Sequence, residues 1–383
     1  MKFKWVGAIL GAMGMLALGI AGFAAAGSQA APAAQGTRPP NSDEVFKNVQ
    51  QLKGIPVDEF MNTMGMFSSA LGLCCTDCHV KEAVGNVGNF AIETDKINTA
   101  RRMIGMMRTI NTNFFKGEAR VSCFTCHRAS YVPDVVPDLA LQNGEPPEPS
   151  VNTMDIVNSN ASPQPFFDKF IQAIGGAQRV GALTSYTATG TYTGFETGMG
   201  PVQLEIYAKA PNQRTMVLHM PEENSTRVFD GTNGWMAGPE AAVPLMPLTG
   251  GNLYGARVDA LITFPTNIRQ DFNTWRSGSA AIDGVDVSIA QGTKTGENPV
   301  NFYFDTKTGL LKRTVRWNKT AVGSVPVQTD YADYRAVNGV QMPYKITVTW
   351  TNGQSFIVLD RITANAAIDA AKFARPAPAK PRQ

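Results

Sequence analysis

Two copies of a five-residue pattern decide how this chain is interpreted: Cys-Thr-Asp-Cys-His at residues 75–79 and Cys-Phe-Thr-Cys-His at residues 123–127. Each copy separates two thiols by two residues and places an imidazole directly after the second thiol. Both thiols can then add to one macrocycle while the histidine reaches its iron, so the pattern predicts covalent attachment of haem c. A redox dithiol or half of a zinc site is the alternative for a lone copy. Two complete copies favour two covalently bound haems, attached through Cys75, Cys78, Cys123 and Cys126.

The iron ligands follow from the histidine count. The chain has three histidines, and His79 and His127 belong to the motifs. His219 lies in a strand-like run, where a core or surface histidine is expected. Methionine is therefore the natural sixth ligand, and periodicity alone does not choose among the methionines on the preceding helices, each of which could instead fill a gap in a core. The candidates are Met61, Met64 and Met66 for the first haem, and Met103, Met106 and Met107 for the second.

Cys74 is the cysteine that the motifs leave over. It directly precedes Cys75, so it could compete as the attachment thiol in a Cys-x-x-x-Cys-His pattern. A buried spare thiol is the expected role. With four of the five cysteines committed to haem, a disulfide framework is not expected.

The N-terminus predicts export. Lys2 and Lys4 flank the start of an apolar or glycine run over residues 5–26, which is typical of a secretory signal. Residues 1–30 are expected to be a signal peptide or, because the run is long enough to span a bilayer, an uncleaved inner-membrane anchor. Both predict a periplasmic protein, with membrane association through this run. The formal net charge of +3 gives no indication of a nucleic-acid partner.

Composition and periodicity predict a multidomain fold: an all-α c-type dihaem domain, then a mainly antiparallel β, open-barrel-like domain with a few helices. In the first domain, helices are expected from Ser42 to Gly54, from Pro56 to Gly72 and from Asp95 to Phe115. In the second, strand-like runs alternate with turns, and helices are expected near 166–174, 251–263 and 364–373. The expected segments are a flexible leader at 31–41, the dihaem domain at 42–133, a Pro-rich linker at 134–165, the β-rich domain at 166–375 and a tail at 376–383.

The first domain resembles a known family. Residues 100–106 (Ala-Arg-Arg-Met-Ile-x-Met), 110–111 (Ile-Asn) and 121–128 (Val-Ser-Cys-Phe-Thr-Cys-His-Arg) resemble the haem repeat of the cytochrome subunit bound to photosynthetic reaction centres. Residues 59–64 (Glu-Phe-Met-Asn-x-Met), before the first motif, resemble the same repeat. The resemblance covers about residues 43 to 133.

The resemblance has implications for ligands and partners. In that family a short helix before each motif donates the methionine ligand, which implies Met64 for the first haem and Met103 for the second. It also implies redox partners, among them a membrane-bound reaction centre or oxidoreductase. The family's well-known members carry four haems, whereas this chain has two motifs, so a related envelope redox chain without photosynthesis is an equal expectation.

The second domain resembles the open half-barrel lipoprotein-carrier fold of bacterial envelopes. The likeness lies in residues 229–235 (Phe-Asp-Gly-x-x-Gly-Trp), 304–311 (Phe-Asp-x-x-Thr-Gly-Leu-Leu) and 333–343 (Asp-Tyr-Arg-x-Val-x-Gly-Val-x-Met-Pro). These are turns and strand edges, so they inform fold rather than activity.

The predicted function is electron transfer by an electron carrier that is not an enzyme, since His/Met ligation closes the iron to substrates. A dihaem peroxidase is one alternative, which needs a displaceable sixth ligand and an acid-base group. The other is a cytochrome fused to an apolar-ligand or docking module.

Overall fold

The computed structural model of the chain describes residues 38–84, 86–137, 139, 144, 152–154, 156, 162–239 and 241–380. The predicted signal or anchor at 1–30, most of the leader, much of the linker and the last residues of the tail lie outside the described residues. Among the residues described, no helix is long and apolar enough to cross a membrane.

Helices form the part of the chain that carries both motifs. Helix α2 begins after Pro56, which fixes the backbone of a first turn, and ends at Gly72 in the left-handed conformation (φ 64°). Helix α4 begins after Thr94, whose hydroxyl accepts a hydrogen bond from the Ile97 N–H at 3.2 Å. The first helix is shorter than predicted: it ends at Val45 and not near Gly54. The helices are α1 Ser42–Val45, α2 Val57–Leu71, α3 Cys75–Cys78, α4 Asp95–Phe115 and α5 Cys123–His127.

Thirteen strands form one antiparallel sheet in the described residues after 162. Its order is β6-β5-β4-β3-β2-β1-β13-β12-β11-β10-β9-β8-β7, so the first strand pairs with the last. This confirms a mainly antiparallel β domain with few helices. The strands are β1 Ser185–Gly194, β2 Pro201–Lys209, β3 Gln213–His219, β4 Ser225–Phe229, β5 Gly234–Ala237, β6 Met246–Pro247, β7 Thr274–Ile282, β8 Val285–Thr293, β9 Val300–Asp305, β10 Leu311–Thr320, β11 Gly323–Val337, β12 Val340–Trp350 and β13 Gly353–Ala364.

Three helices accompany the sheet: α6 Gln164–Ala173, α7 Ala177–Gly181 and α8 Gly250–Thr263. The first and third confirm the predicted helices near 166–174 and 251–263. The helix predicted at 364–373 is wrong, because β13 runs to Ala364 and a single 3₁₀ turn follows at Ala370–Phe373. The main core lies between the sheet and these helices, with Phe167, Val258, Phe302 and Phe304 almost completely buried.

Candidate haem-binding site

The two motifs form matching helical turns. In α3 the residue before the first haem cysteine, Cys74, is the N-cap, and its N–H donates to Asp77 Oδ2 at 2.7 Å. In α5 Ser122 holds the same position, and its N–H donates to Thr125 Oγ1 at 3.0 Å. Each turn is closed by the bond from the N-cap N–H to the side chain three residues on. Cys74 is exposed, so the prediction of a buried spare thiol is wrong: it stands where the second motif uses a serine cap.

The motif cysteines are three residues apart on one helical turn, so both thiols of a pair lie on the same side of that turn. Cys75 and Cys126 are exposed, while Cys78 and Cys123 are partly buried. Burial raises the pKa of the Cys123 thiol to about 11 and also raises the pKa of Cys78. Each motif therefore has one exposed cysteine and one partly buried cysteine, and burial favours the neutral thiol of the second.

The two motif histidines are held in the same way. His79 Nδ1 lies 3.1 Å from the backbone carbonyl oxygen of Phe90, and His127 Nδ1 lies 3.0 Å from that of Ser130. A carbonyl oxygen only accepts hydrogen bonds, so each Nδ1 carries the proton and each Nε2 keeps its lone pair. Such a bond from the far nitrogen is how proteins orient a metal-ligating imidazole. Burial lowers the pKa of His79, which keeps its ring neutral and able to coordinate.

The third histidine has a different setting. His219 ends β3, is exposed, and its Nε2 lies 3.6 Å from Glu205 Oε1. It lies on the sheet domain and not beside either motif in sequence. The predicted strand position of His219 is confirmed, and it is a surface residue.

Helix α4 ties the two motifs together. At its start, the Thr94 hydroxyl donates to the carbonyl oxygen of Cys78 at 2.6 Å. Near its end, buried Asn111 donates from Nδ2 to the Val121 carbonyl at 2.8 Å, and its Oδ1 accepts from the N–H groups of Arg120 and Val121 at 3.1 and 2.9 Å. One asparagine therefore pairs three backbone groups just before the second motif. Sequence reasoning recognised Ile-Asn at 110–111 as part of a repeat but not this role.

Helix α2 contacts the second motif as well as preceding the first. The Ala129 N–H, two residues beyond His127, donates to the Ala70 carbonyl at 2.9 Å. A Cβ at residue 72 would overlap the Ala129 carbonyl oxygen, so glycine is needed there both for its left-handed φ of 64° and for this close approach. The two repeats thus support each other, which their order along the chain does not reveal.

The candidate methionines differ in their surroundings. Met66 and Met107 are buried in an apolar cluster with Leu52, Ile104, Val322 and Val325. Met64 is partly buried at the edge of this cluster, as is Cys123. Met103 is 38% exposed. Ligation by Met64 and Met103 stays a prediction, and both thioethers lie outside the closed core.

The donor set and its surroundings fit haem c. Eleven exposed large apolar side chains lie between residues 61 and 132, the part of the chain that contains both motifs, where an apolar macrocycle could cover some of them. Together with paired thiols and imidazoles that keep Nε2 free, they provide the contacts that attached haem requires. These exposed side chains are Met61, Val84, Val87, Ile92, Met103, Met106, Phe114, Phe115, Phe124, Tyr131 and Val132.

Helix α2 is also fixed to the sheet domain. Buried Asp58 accepts hydrogen bonds from the Thr249 N–H at 2.7 Å and from Asn252 Nδ2 at 3.0 Å, both at the start of α8. A Cβ at Gly65 would lie 3.0 Å from Thr351 Oγ1 in the β12–β13 turn. One at Gly323, in the β10–β11 turn, would lie 3.1 Å from Met66 Cε. The helix that carries Met64 therefore packs against three elements of the sheet domain.

Two capped Cys-x-x-Cys-His turns, each with its histidine Nδ1 bonded to a backbone carbonyl, are typical of one class of protein, the c-type cytochromes. Within that class, residues 22–173 match the family model described as photosynthetic reaction centre cytochrome C subunit. The resemblance expected from the motifs is thereby confirmed for this part of the chain.

Two curated relatives agree. The photosynthetic reaction center cytochrome c subunit of Thermochromatium tepidum is 38% identical over 109 residues, which are 27% of this chain and 25% of the relative. The subunit of the same name from Roseobacter denitrificans is 30% identical over 100 residues, 24% of this chain and 26% of the relative. The chain thus spans about a quarter of the length of these relatives.

Two solved structures resemble a little over half of this chain. A LolA superfamily protein from Nitrosomonas europaea has a TM-score of 0.39 and 12% identity, covering 56% of this chain and 98% of that protein. An outer membrane lipoprotein-sorting protein domain from Vibrio parahaemolyticus has a TM-score of 0.37 and 9% identity, covering 54% of this chain and 97% of that domain. Scores of this size support no argument about function.

Proposed function

We propose that this protein is an exported dihaem c-type cytochrome that carries electrons in a cell-envelope redox chain. The observation that carries the proposal is the matched orientation of His79 and His127, each with Nδ1 bonded to a backbone carbonyl and Nε2 free. A pair of dithiols that served only redox exchange would not need oriented imidazoles. The similarity to reaction-centre cytochrome subunits supports the same function.

Each side chain has a proposed role. Cys75 and Cys78 attach the first haem, and Cys123 and Cys126 attach the second. His79 and His127 supply the first axial ligands, and Met64 and Met103 supply the sixth. Haem held in this way supplies one-electron transfer, and a methionine ligand favours a raised reduction potential. The bonds from each Nδ1 to a backbone carbonyl, buried Asn111 and the capped turns keep these ligands in place.

The rest of the organisation is proposed with it. Residues 42–133 form the all-α dihaem domain, 134–165 a linker, and 166–375 an open-barrel-like domain. Residues 1–30 direct export to the periplasm and either are removed or anchor the protein in the inner membrane. The partners are a redox donor and acceptor, one of them a membrane-bound reaction centre or oxidoreductase.

The test is to produce the full chain with c-type maturation machinery and to measure covalent haem by pyridine haemochrome and intact mass. Two haems per chain with a low-spin spectrum and a far-red methionine-to-iron charge-transfer band would support the proposal. One high-spin haem would indicate a peroxidase-like enzyme instead. Absence of covalent haem would refute the assignment.

A further inference from the structure

The two motif histidines obtain their carbonyl partners in different ways. For His79 the acceptor is Phe90, eleven residues further along the chain, and the Phe90 ring also contacts the imidazole edge to face, with 5.0 Å between centroids. For His127 the acceptor is Ser130, three residues on. The chain must reverse direction within those three residues for the Ser130 carbonyl to face the His127 ring. The orientation of the second histidine therefore depends on the shape of one tight turn.

The turn at residues 127–130 has a backbone that its residues do not favour. Its central residues, Arg128 and Ala129, both have left-handed φ values, 50° and 64°. The Ser130 N–H closes the turn by donating to the His127 carbonyl at 2.8 Å. Two positive φ values mark the type I′ class, in which glycine, asparagine and aspartate predominate. With arginine and alanine at these positions, the conformation persists because the surroundings hold it.

Helix α2 of the first repeat supplies that support. The Ala70 carbonyl lies in the last turn of α2, where backbone acceptors lack a partner within the helix, and it accepts the Ala129 N–H at 2.9 Å. The chain leaves α2 at Gly72 with φ 64°, and a Cβ there would overlap the Ala129 carbonyl oxygen. Both polar backbone groups of Ala129 thus lie against the end of α2, one through a hydrogen bond and one in the space that glycine leaves.

We propose that Gly72 is a positioning residue for the second haem: it lets the end of α2 hold the turn in which Ser130 orients His127. A hydrogen bond from Nδ1 to a carbonyl raises the basicity of the ligating imidazole, which favours oxidised iron and lowers the reduction potential. A residue of the first repeat thus sets the potential of the haem attached at the second. This inference rests on the proposed attachment of two haems.

The experiment replaces glycine by asparagine, which tolerates a left-handed φ but carries a Cβ. Gly72→Asn should displace the Ala129 carbonyl and weaken the bond that orients His127. In a redox titration of the holoprotein, the reduction equilibrium constant of one haem should rise by about threefold or more, where a tenfold change corresponds to 59 mV for one electron. Gly117→Asn is the matched control, because Gly117 follows helix α4 with φ 83° and a Cβ there would meet nothing within 4 Å. Its two potentials should equal those of wild type.

Nuclear magnetic resonance of the holoprotein labelled with ¹⁵N-histidine identifies the haem that responds. The iron shifts the ring N–H signals of both ligands, and the signal with a nuclear Overhauser contact to the Phe90 ring belongs to His79. We expect Gly72→Asn to speed hydrogen exchange of the His127 Nδ1–H by about threefold or more, because the turn opens more often. Exchange at His79 should stay as in wild type.

A double variant tests the turn itself. Arg128→Asn/Ala129→Gly supplies the residues that a type I′ turn prefers, so the turn should need less support from α2. In the wild-type background it should slow hydrogen exchange at His127. Combined with Gly72→Asn, it should bring both the exchange rate and the potential back toward their wild-type values.

The outcomes separate this inference from the proposed function. Wild type without covalent haem would overturn both. With two haems attached, the positioning role alone is overturned if Gly72→Asn has wild-type potentials and wild-type exchange at His127, if Gly117→Asn changes equally, or if the change is confined to His79. Should Gly72→Asn fail to mature, the double variant decides, because unchanged exchange at His127 would then overturn the role of the turn.

Discussion

The carboxylate of Asp58, in the first turn of the helix that carries Met64, accepts a 2.6 Å hydrogen bond from the hydroxyl of Thr249, the N-cap of helix α8. This bond crosses from the motif-bearing helices to the sheet domain. A carboxylate at the N-terminus of a helix also interacts favourably with the helix dipole. The helix proposed to donate the ligand of the first haem is therefore fixed to the sheet domain through its first turn.

Replacement of Asp58 by Asn should loosen this junction. The variant keeps the size of the side chain but loses the charge and one acceptor, so the free energy of unfolding should fall by about 1–3 kcal/mol. Chemical denaturation of the holoprotein measures this change. Glu118→Gln, which removes an exposed carboxylate paired with Arg120, is the control and should stay within about 0.5 kcal/mol of wild type. An equal loss in both variants would contradict the bridging role.

Glu59, beside Asp58, should make stability depend on pH. Burial raises the pKa of its carboxyl above the ordinary value, and the Asp58 charge adds to the rise. Because the folded-state pKa is the higher one, the stability contributed by neutral Glu59 is present at low pH and is lost as pH rises through that pKa. The free energy of unfolding of Glu59→Gln, measured relative to that of wild type, should therefore be more favourable at pH 7 than at pH 4. Unfolding measured at both pH values tests this, and a pH-independent difference would contradict it.

The methionine ligands can be tested with near-isosteric changes. Met64→Leu and Met103→Leu should each remove roughly half of the far-red charge-transfer absorbance, because one of two thioether ligands is lost, and should lower the potential of one haem. Met61→Leu and Met106→Leu change exposed methionines on the same helices and should leave the band intact. Loss of the band in Met106→Leu but not in Met103→Leu would reassign the second ligand.

Cys74 should be a cap and not an attachment site. Cys74→Ser supplies the hydroxyl that the second motif already uses at Ser122, so haem content and stability should be unchanged. Cys74→Ala should keep both haems and change stability little, because the bond to Asp77 Oδ2 comes from the backbone N–H of residue 74, which alanine retains. Cys75→Ser should lose one thioether bond, visible in the pyridine haemochrome. Loss of one haem from Cys74→Ala would transfer the attachment role to Cys74.

Asn111 should contribute more to the free energy of unfolding than an asparagine on the exposed face of a helix. Asn111→Ala leaves three backbone groups before the second motif without their partner, which should cost about 2–4 kcal/mol. Asn113→Ala, at an exposed position two residues away, is the matched control and should have little effect. Chemical denaturation of both holoproteins provides the comparison. Equal free energies of unfolding would show that the hydrogen bonds of Asn111 contribute little to stability.

Much of the secondary structure could be predicted locally. Pro56, Gly72 and the Thr94–Asp95 pair delimit two long helices, since these residues act through their own backbone. Strand β7 has a weak local signal, because Trp-Arg-Ser-Gly-Ser-Ala-Ala shows little alternation of apolar and polar residues. The turn after it gave a signal that could have found it: Asp283 and Gly284 both have positive φ (51° and 73°), as a two-residue hairpin turn requires.

The sequence by itself determined the chemistry of the haem site, because attachment needs two thiols and an imidazole at fixed local spacing. It also determined that a sheet follows the helices, since turn and strand preferences are local. The tertiary structure alone decided that α2 supports the second motif through Ala70 and Ala129, and that Asp58 caps a distant helix. These contacts join residues far apart in the chain, and their partners are selected by packing and by the pairing of buried polar groups, which no local pattern encodes.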